Sequence, residues 1–454
     1  MIATILIYDY LRKLTENVSF TYRERSTGHG IDKDDIDKNV DLLIIVDSSS
    51  SEVSNVNTLA EDMDVVILDH HNVAKTDKKL NAILVNPNQE GCKYKNKYIS
   101  GSGVVFRFIE LLDYNYKKVR INNYLDLVAT SLLSDQMRMD SMENRYFVKK
   151  GLSNICNVGL LALINATKNS NKELNASIMN YSIIPILNTT TRNNEMHKAF
   201  RILREEDYFK AKKMAEWLVK ENEERKEKVK HLFEEYESIM QDEAFVLVTK
   251  NDAKKNYNGL VAQKFASEYM KPSLILKDDG ESYQGSYRSY NNFDLQTFLR
   301  ECPYVEYAEG HSPAGGCKIT HENWDKFKKY INENIDRELF KPTIHYDLSL
   351  NEEDITTNLV EDVMKFDLIY GNGSPQITVK IDDIFIHERG LFPKDREKHV
   401  KLKSDKLEIM KFNDPIYAEE VGEFDVVSII GTLNINEWNK KKTIQLFVND
   451  YKLI

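Results

Sequence analysis

The feature that most constrains this chain is the triplet Asp69-His70-His71, which closes the apolar run DVVILDHH from Asp64 to His71. The run reads as a buried strand. Burying a carboxylate and two imidazoles beside it costs free energy unless a metal ion or a pairing partner compensates. A second apolar run, DLLIIVD from Asp41 to Asp47, also ends on a carboxylate. From Met1 to about Pro87 such runs alternate with amphipathic stretches, with VSFTY (Val18 to Tyr22) as a further strand, and this predicts a parallel sheet in an α/β domain. The carboxyl ends of strands in open α/β sheets line the ligand crevice, so Asp47, Asp69, His70 and His71 are expected to converge there. Asp135, at the end of a helical run in LLSDQMRMDS, supplies another oxygen donor. Carboxylates and imidazoles at element ends form a natural cage for a divalent ion that activates water against a phosphoester.

Downstream, SGVVFRFIELL and NNYLDLVATSLLSD repeat apolar residues at helical spacing and complete the first domain. A highly charged stretch without Gly or Pro, from about Glu205 to Met240, predicts a long helix with a thin apolar stripe, of the kind that bridges domains. A second, smaller α/β unit follows, with strands AFVLVTK and SLILK and the glycine-rich GHSPAGG. ITVKIDDIFIH, KHVKLK, DVVSIIGTLNI and TIQLFVND then read as short strands of a small barrel of the OB type. The expected division is residues 1–204, a connecting helix over 205–241, 242–339 and 340–454.

At 454 residues the chain suits several cores. No apolar run approaches the ~20 residues of a membrane-spanning helix, and the N-terminus lacks a signal-peptide cleavage pattern, so a cytoplasmic protein without membrane attachment is expected. Cys92, Cys156, Cys302 and Cys317 form no C-x-x-C pair, which argues against a zinc knuckle or a disulfide framework and for reduced core thiols. A net charge of −10 disfavours nonspecific coating of nucleic acid. Lys394 to Lys406 and Lys440 to Lys442 are basic runs that read first as solvated faces.

The order of motifs resembles the RecJ-type single-strand-specific DNA exonucleases of the DHH phosphoesterase superfamily. VDSSSS is similar to the family's second motif, LDHHN to its third, and SDQMRMDSMENRYFVKKGL to its fourth. PILNTTTR resembles the P-R-x-N-A-x-G-R segment, NGLVAQKFASEYMKPSLIL a stretch of the associated domain, GSYRS the G-S-x-R-S motif, and EGHSPAGG the G-G-H-x-x-A-A-G motif. INEWNKKKTIQLFV resembles the last strands of the family's OB domain.

The resemblance implies a metal-dependent 5′-to-3′ exonuclease that releases nucleoside 5′-monophosphates, with Mn²⁺ or Mg²⁺ as cofactor and single-stranded DNA threaded between the two α/β domains. It implies a monomer, with a single-strand-binding protein or a helicase as partner. Asp47, His70 and Asp135 would ligate metal, Asp47 as a bridge. Asp69 and His71 would contact phosphate and orient His70, and His311 would donate to the scissile phosphate. Gly310, Gly315 and Gly316 would let backbone approach that phosphate. Arg25, Ser286 and Arg288 would hold a 5′-phosphate, and Asn188 and Arg192 the DNA backbone. Ile186, Thr191 and His29 stand where the family carries Arg, Gly and Tyr, which bears on DNA contacts. Two other readings are a non-catalytic single-stranded DNA-binding protein of this fold and a phosphodiesterase for oligonucleotides or cyclic dinucleotides.

The family's first motif, H-x-D-x-D-G, has no counterpart. Its ligands complete a two-metal site, so this polypeptide is expected to be impaired alone, with Met1 as an internal methionine behind the missing glycine. His29, Asp32 and Asp34 imitate the motif but follow the VSFTY segment, and read instead as a glycine turn and an N-capped helix.

Overall fold

The computed structural model describes the whole chain except residues 24–29, 38, 75, 170–172, 254, 342–343, 393–398 and 413. The apolar N-terminal run forms α1 (Ile2–Leu11), whose Ile2, Ala3, Ile5, Leu6, Ile7 and Tyr10 are buried. Being apolar nearly all round, it belongs inside a core rather than on a surface. The expected strand at VSFTY does not form. No strand pairs with it among the described residues, and its Phe20 and Tyr22 instead stack on Phe200, at 5.2 and 4.7 Å between ring centroids. Ring stacking does there what a ladder was expected to do.

Of the segment that imitates the first motif, the N-capped helix forms as a single 3₁₀ turn, and the expected glycine turn at Gly28 and His29 lies outside the described residues. Asp32 caps Lys33–Asp35 by accepting from the Asp34 amide. The sheet begins with β1 (Leu42–Val46), crosses through α2 (Val53–Leu59) to β2 (Asp64–Leu68), and adds β3 (Ile83–Val85). Its order is β1-β2-β3, parallel throughout. Ile45, Val65 and Ile67 share one cluster with Val56 and Leu59 of α2, so the crossover helix covers the face that the strands' alternation makes apolar.

Four helices follow: α3 (Gly101–Tyr116), α4 (Leu125–Ser134), α5 (Met142–Ser153) and α6 (Val158–Ala166). Ser100, Ser141 and Asn157 cap α3, α5 and α6 through side-chain oxygens that accept N-terminal amides. The short α7 (Ala176–Ile178) passes through a π-helical turn, Met179–Ile183, into α8 (Ile184–Arg192), and α9 (Met196–Leu203) follows. No single helix among the described residues is long and apolar enough to cross a membrane.

The long charged stretch is one helix, α10 (Tyr208–Glu237). The chain separates within it into two compact units, Met1–Trp217 together with Ile344–Ile454, and Leu218–Thr343. The C-terminal residues Ile344–Ile454 fall in one unit with the N-terminal ones.

In the second unit, β4 (Gln241–Asp242), β5 (Val246–Lys250), α11 (Lys255–Glu268), β6 (Ser273–Asp278), β7 (Ser282–Arg288), α12 (Leu295–Glu301), β8 (Tyr307–His311), β9 (Ala314–Thr320) and α13 (His321–Asn334) build one mixed sheet. The strand order is β4-β5-β6-β7-β9-β8, with only β5 and β6 parallel. Val246, Val248 and Ile275 pack against Phe233 of α10 and Phe265 of α11. Leu247, Leu274 and Leu276 face Leu299 of α12 and Phe327 of α13. Period-two alternation thus divides the strands between two helical layers.

The C-terminal residues form β10 (Leu348–Leu350), α14 (Thr357–Asp367), β11 (Val379–Phe385), β12 (Glu388–Phe392), β13 (His399–Lys403), β14 (Glu408–Lys411), α15 (Pro415–Glu420), β15 (Val426–Trp438) and β16 (Lys441–Leu453). Their sheet runs β10-β11-β15-β16-β14-β13-β12 around an Ile- and Val-rich core. Cys302 and Cys317 are buried as expected of core thiols, whereas Cys92 and Cys156 are only partly covered.

Candidate metal centre

Asp47 is the first residue beyond β1 and holds a left-handed backbone, φ 61°, as does Ser49 at φ 71°. Residues with a Cβ adopt this conformation at a cost of ~1 kcal/mol or more, and such strain gathers at functional sites. The turn aims the Asp47 carboxylate at the start of α3. A Cβ on Gly101 would lie 2.1 Å from Asp47 Oδ1, so only glycine leaves room for it. The helix N-terminus favours the negative charge placed there.

At the end of β2 the triplet divides its labour. Asp69 has no exposed surface. Its Oδ1 accepts from the His70 amide at 2.7 Å and from His71 Nδ1 at 2.7 Å, and its Oδ2 from the Ser50 amide at 3.2 Å. Burial alone would raise this carboxyl, but the hydrogen bonds from His71, Ser50 and His70 outweigh it and hold it well below the usual range. The same bond to Asp69 raises His71, whose ring is 60% exposed. Asp69 is therefore spent on orienting its neighbours, His71 by the ring and His70 through its backbone. Its sequence reading as a phosphate contact does not fit a carboxylate with no face to solvent. The exposed edge of His71 does suit an anion.

His70 Nε2 lies 3.3 Å from Asp47 Oδ1. One ligand atom from each of Asp47, Asp69, His70 and His71 falls within 4.8 Å of the others. Asp135 stands outside that tight group, at the C-cap of α4, and accepts from Ser131 Oγ at 3.3 Å. The residue is exposed to solvent, yet protein atoms crowd the carboxyl. That crowding, and then the charge of Asp47, pushes its carboxyl up to about 6, while His70 pulls the other way. A carboxyl whose ionisation is made costlier by a second carboxylate, beside an imidazole, belongs to a donor set that a divalent cation fits. Asp47, His70 and Asp135 are the residues that would hold it.

Sequence reasoning missed the layer beneath. Asn86, 1% exposed, donates to Ser50 Oγ at 2.8 Å and to the His71 carbonyl at 2.9 Å. Asn88 donates to the His70 carbonyl at 2.6 Å. The only signal was Asn-Pro-Asn directly after the short strand β3, which itself was not singled out.

The remaining candidates lie elsewhere. Arg25 falls outside the described residues. Asn188 is exposed and Arg192 partly covered, four residues apart on α8 and so on one face of it. Ile186 is 1% exposed and belongs to the core.

In the second unit, Ser286 and Arg288 sit on β7, where Ser286 pairs with Gly316 and Arg288 with Ala314 of β9. GHSPAGG is a hairpin rather than a loop: His311 ends β8 opposite Ala314, and Gly310 opposes Gly315. A Cβ on Gly259 would lie 2.6 Å from Arg288 Nη2, so the glycine of NGLVA makes room for that guanidinium. This contact also escaped sequence reasoning. The two sequence motifs GSYRS and GHSPAGG are thereby neighbours in one sheet.

Residues 1–132 match the DHH family, N-terminal domain, and residues 346–450 match the RecJ OB domain. Through these two matches the chain is similar to the RecJ-type DHH proteins at both ends. It is 27% identical over 474 residues to the single-stranded-DNA-specific exonuclease RecJ of Bacillus subtilis, covering 99% of this chain and 59% of that one. It therefore spans about three fifths of that RecJ. It is 26% identical over 491 residues to a putative SPbeta prophage-derived single-strand DNA-specific exonuclease, YorK, of the same organism, covering 99% of this chain and 84% of that one. RecJ of Thermus thermophilus in complex with Mn²⁺ shares the fold, with a TM-score of 0.79 at 20% identity over 99% of this chain and 67% of that one. The RecJ frame thus spans the DHH sheet, the hairpin unit and the OB module.

Proposed function

We propose that this chain is a divalent-metal-dependent exonuclease that degrades single-stranded DNA from the 5′ end and releases nucleoside 5′-monophosphates. The observation that carries the reading is the gathering, at the rim of a parallel sheet, of Asp47 and His70 at 3.3 Å with Asp135 in electrostatic reach. Relatives named as single-stranded-DNA-specific exonucleases, and a RecJ structure in complex with Mn²⁺, support it. Mn²⁺ or Mg²⁺ held by those three side chains would supply Lewis acidity toward a phosphate oxygen and an attacking water. The protein's own part is positioning. Asp69 fixes His71 with a raised proton affinity, so that its exposed edge can donate to a phosphate oxygen. Ser286 and Arg288 would offer a hydroxyl and a guanidinium to a 5′-phosphate, and Asn188 and Arg192 would bind backbone phosphates. A single-strand-binding protein or helicase would present the strand, and the chain would act as a monomer.

The test offers the purified chain 5′-labelled single-stranded DNA beside a dinucleotide, with Mn²⁺ and with a chelator. Mononucleotides released from the long strand, only with metal and slowly for want of the first motif's ligands, are the expected result. Preference for the dinucleotide would redirect the reading to small substrates, and DNA binding without cleavage to a non-catalytic role.

A further inference from the structure

The loop that follows Asp135 is not held by its own domain alone. Gly371 and Ser374 exchange backbone hydrogen bonds at 2.8 and 3.0 Å, closing a tight Gly-Asn-Gly-Ser turn between α14 and β11 of the OB module. That turn lies on residues 136–140. The Met139 amide donates to the Asn372 carbonyl at 2.7 Å, and Asn372 Nδ2 to the Gln136 carbonyl at 3.3 Å. A Cβ on Gly371 would sit 2.9 Å from Met139 Cγ, and one on Gly373 3.0 Å from Asp140 Cγ, so glycine is what lets the turn approach this closely. Gln136 adopts φ 51°, a bend the chain keeps only when its surroundings enforce it.

Arg145 of α5 fastens the two pieces. Its Nη1 donates to Ile369 O at 3.1 Å, Ser374 Oγ at 3.0 Å and Met139 O at 3.4 Å. Its Nη2 donates to Phe366 O at 3.3 Å, and the guanidinium lies over the Phe366 ring at 5.0 Å. On the far side, the Ala176 amide of α7 donates to Leu368 O at 3.1 Å. A planar fork of five N–H donors satisfies several carbonyls at once in a way no other side chain can. The backbone of Asp135 is one residue from this assembly, so its carboxylate inherits the loop's position.

We propose that residues 366–374 of the OB module form a strap that positions Asp135 for metal binding, with Arg145 as the positioning residue that locks it. The inference rests on reading Asp135 as a metal ligand. It makes the OB module part of the metal centre's support rather than only a neighbouring strand-binding module.

The test is a Mn²⁺ titration of the full chain followed by electron paramagnetic resonance, for wild type, Arg145→Ala, Arg145→Lys and Asn372→Ala, with circular dichroism to confirm folding. Arg145→Ala is expected to weaken Mn²⁺ binding about tenfold, the scale seen when a ligand's outer support is removed, with Arg145→Lys weaker in effect. A folded Arg145→Ala that binds Mn²⁺ as wild type does overturns the inference. If Arg145→Ala does not fold, Asn372→Ala decides: a loss of Mn²⁺ affinity of about threefold supports the strap, and none overturns it. Wild-type chain that takes up no Mn²⁺ sinks the metal reading itself, and that outcome is distinct from unchanged variants beside a binding wild type.

Discussion

Asp69 and His71 form a pair in which burial makes the carboxylate dependent on its hydrogen bonds. Replacing Asp69 by Asn keeps the shape but removes the charge that the His71 ring and three backbone amides point at. The expected loss is about 1–3 kcal/mol of folding stability in urea unfolding, together with a fall of His71's proton affinity that ring-resonance titration would read. The sign follows from the shifts. Asp69 is depressed in the fold, so its contribution is present above the ordinary carboxylate range and lost on acidification; His71 is raised, so its contribution is present below the ordinary imidazole range and lost as pH rises through its folded value. Asp135 runs opposite to Asp69. Its carboxyl, raised from 3.8 to about 6, lets the fold hold a proton that the unfolded chain releases, so metal-free stability falls as pH rises across that window. A divalent ion must displace that proton. Calorimetric Mn²⁺ affinity is therefore expected to weaken as pH drops below about 6, and affinity flat from pH 5 to 8 would remove Asp135 from the ligand set.

At the scale of elements, the hairpin of β8 and β9 shows how packing decides what a glycine-rich string becomes. Gly315 lies against β8 and the ring of Tyr287, and a Cβ there would come within 2.0 Å of Glu309 O and 2.4 Å of Tyr287 Oη. Gly315→Ala is expected to destabilise the second unit by about 1–3 kcal/mol, read as a shift of its unfolding midpoint, because both neighbours are fixed. Gly316 meets only Gly285 O at 3.3 Å and should tolerate Ala far better. The strands were legible wherever alternation or a buried run was strong: Leu42–Val46, Asp64–Leu68 and Val246–Lys250 fall where their apolar pattern puts them. VSFTY has the composition of a strand and fails to be one, since a strand also needs an edge to pair with, and composition carries no information about edges.

At the scale of the molecule, the join between the OB module and the N-terminal domain includes the Arg145 fork, several carbonyls and the close approach of Gly371 and Gly373, and nothing in the sequence pairs these residues with one another. A chain ending before Ile344 loses every partner of Arg145 beyond Met139. Scanning calorimetry of that truncation is expected to show the N-terminal domain melting at least ~5 °C lower, since each kcal/mol moves a body of this size by about 2–4 °C. An unshifted transition would mean the contacts contribute nothing net.

Sequence alone determined the donors and their order. Asp47, Asp69, His70, His71 and Asp135 could be named because charged and imidazole groups at the ends of apolar segments need a compensating partner, and that need is local. Which of them open onto the candidate site, and which turn inward to hold the others, was decided by tertiary structure. Asp69 and Asp47 are alike in sequence context, each ending an apolar strand, yet one is sealed beneath two histidines and the other is turned outward by a left-handed residue against Gly101. Orientation of that kind depends on neighbours far along the chain, Ser50, Asn86, Gly101 and the strap at 366–374, whose meeting is set by how helices and sheets pack and is written in no local pattern.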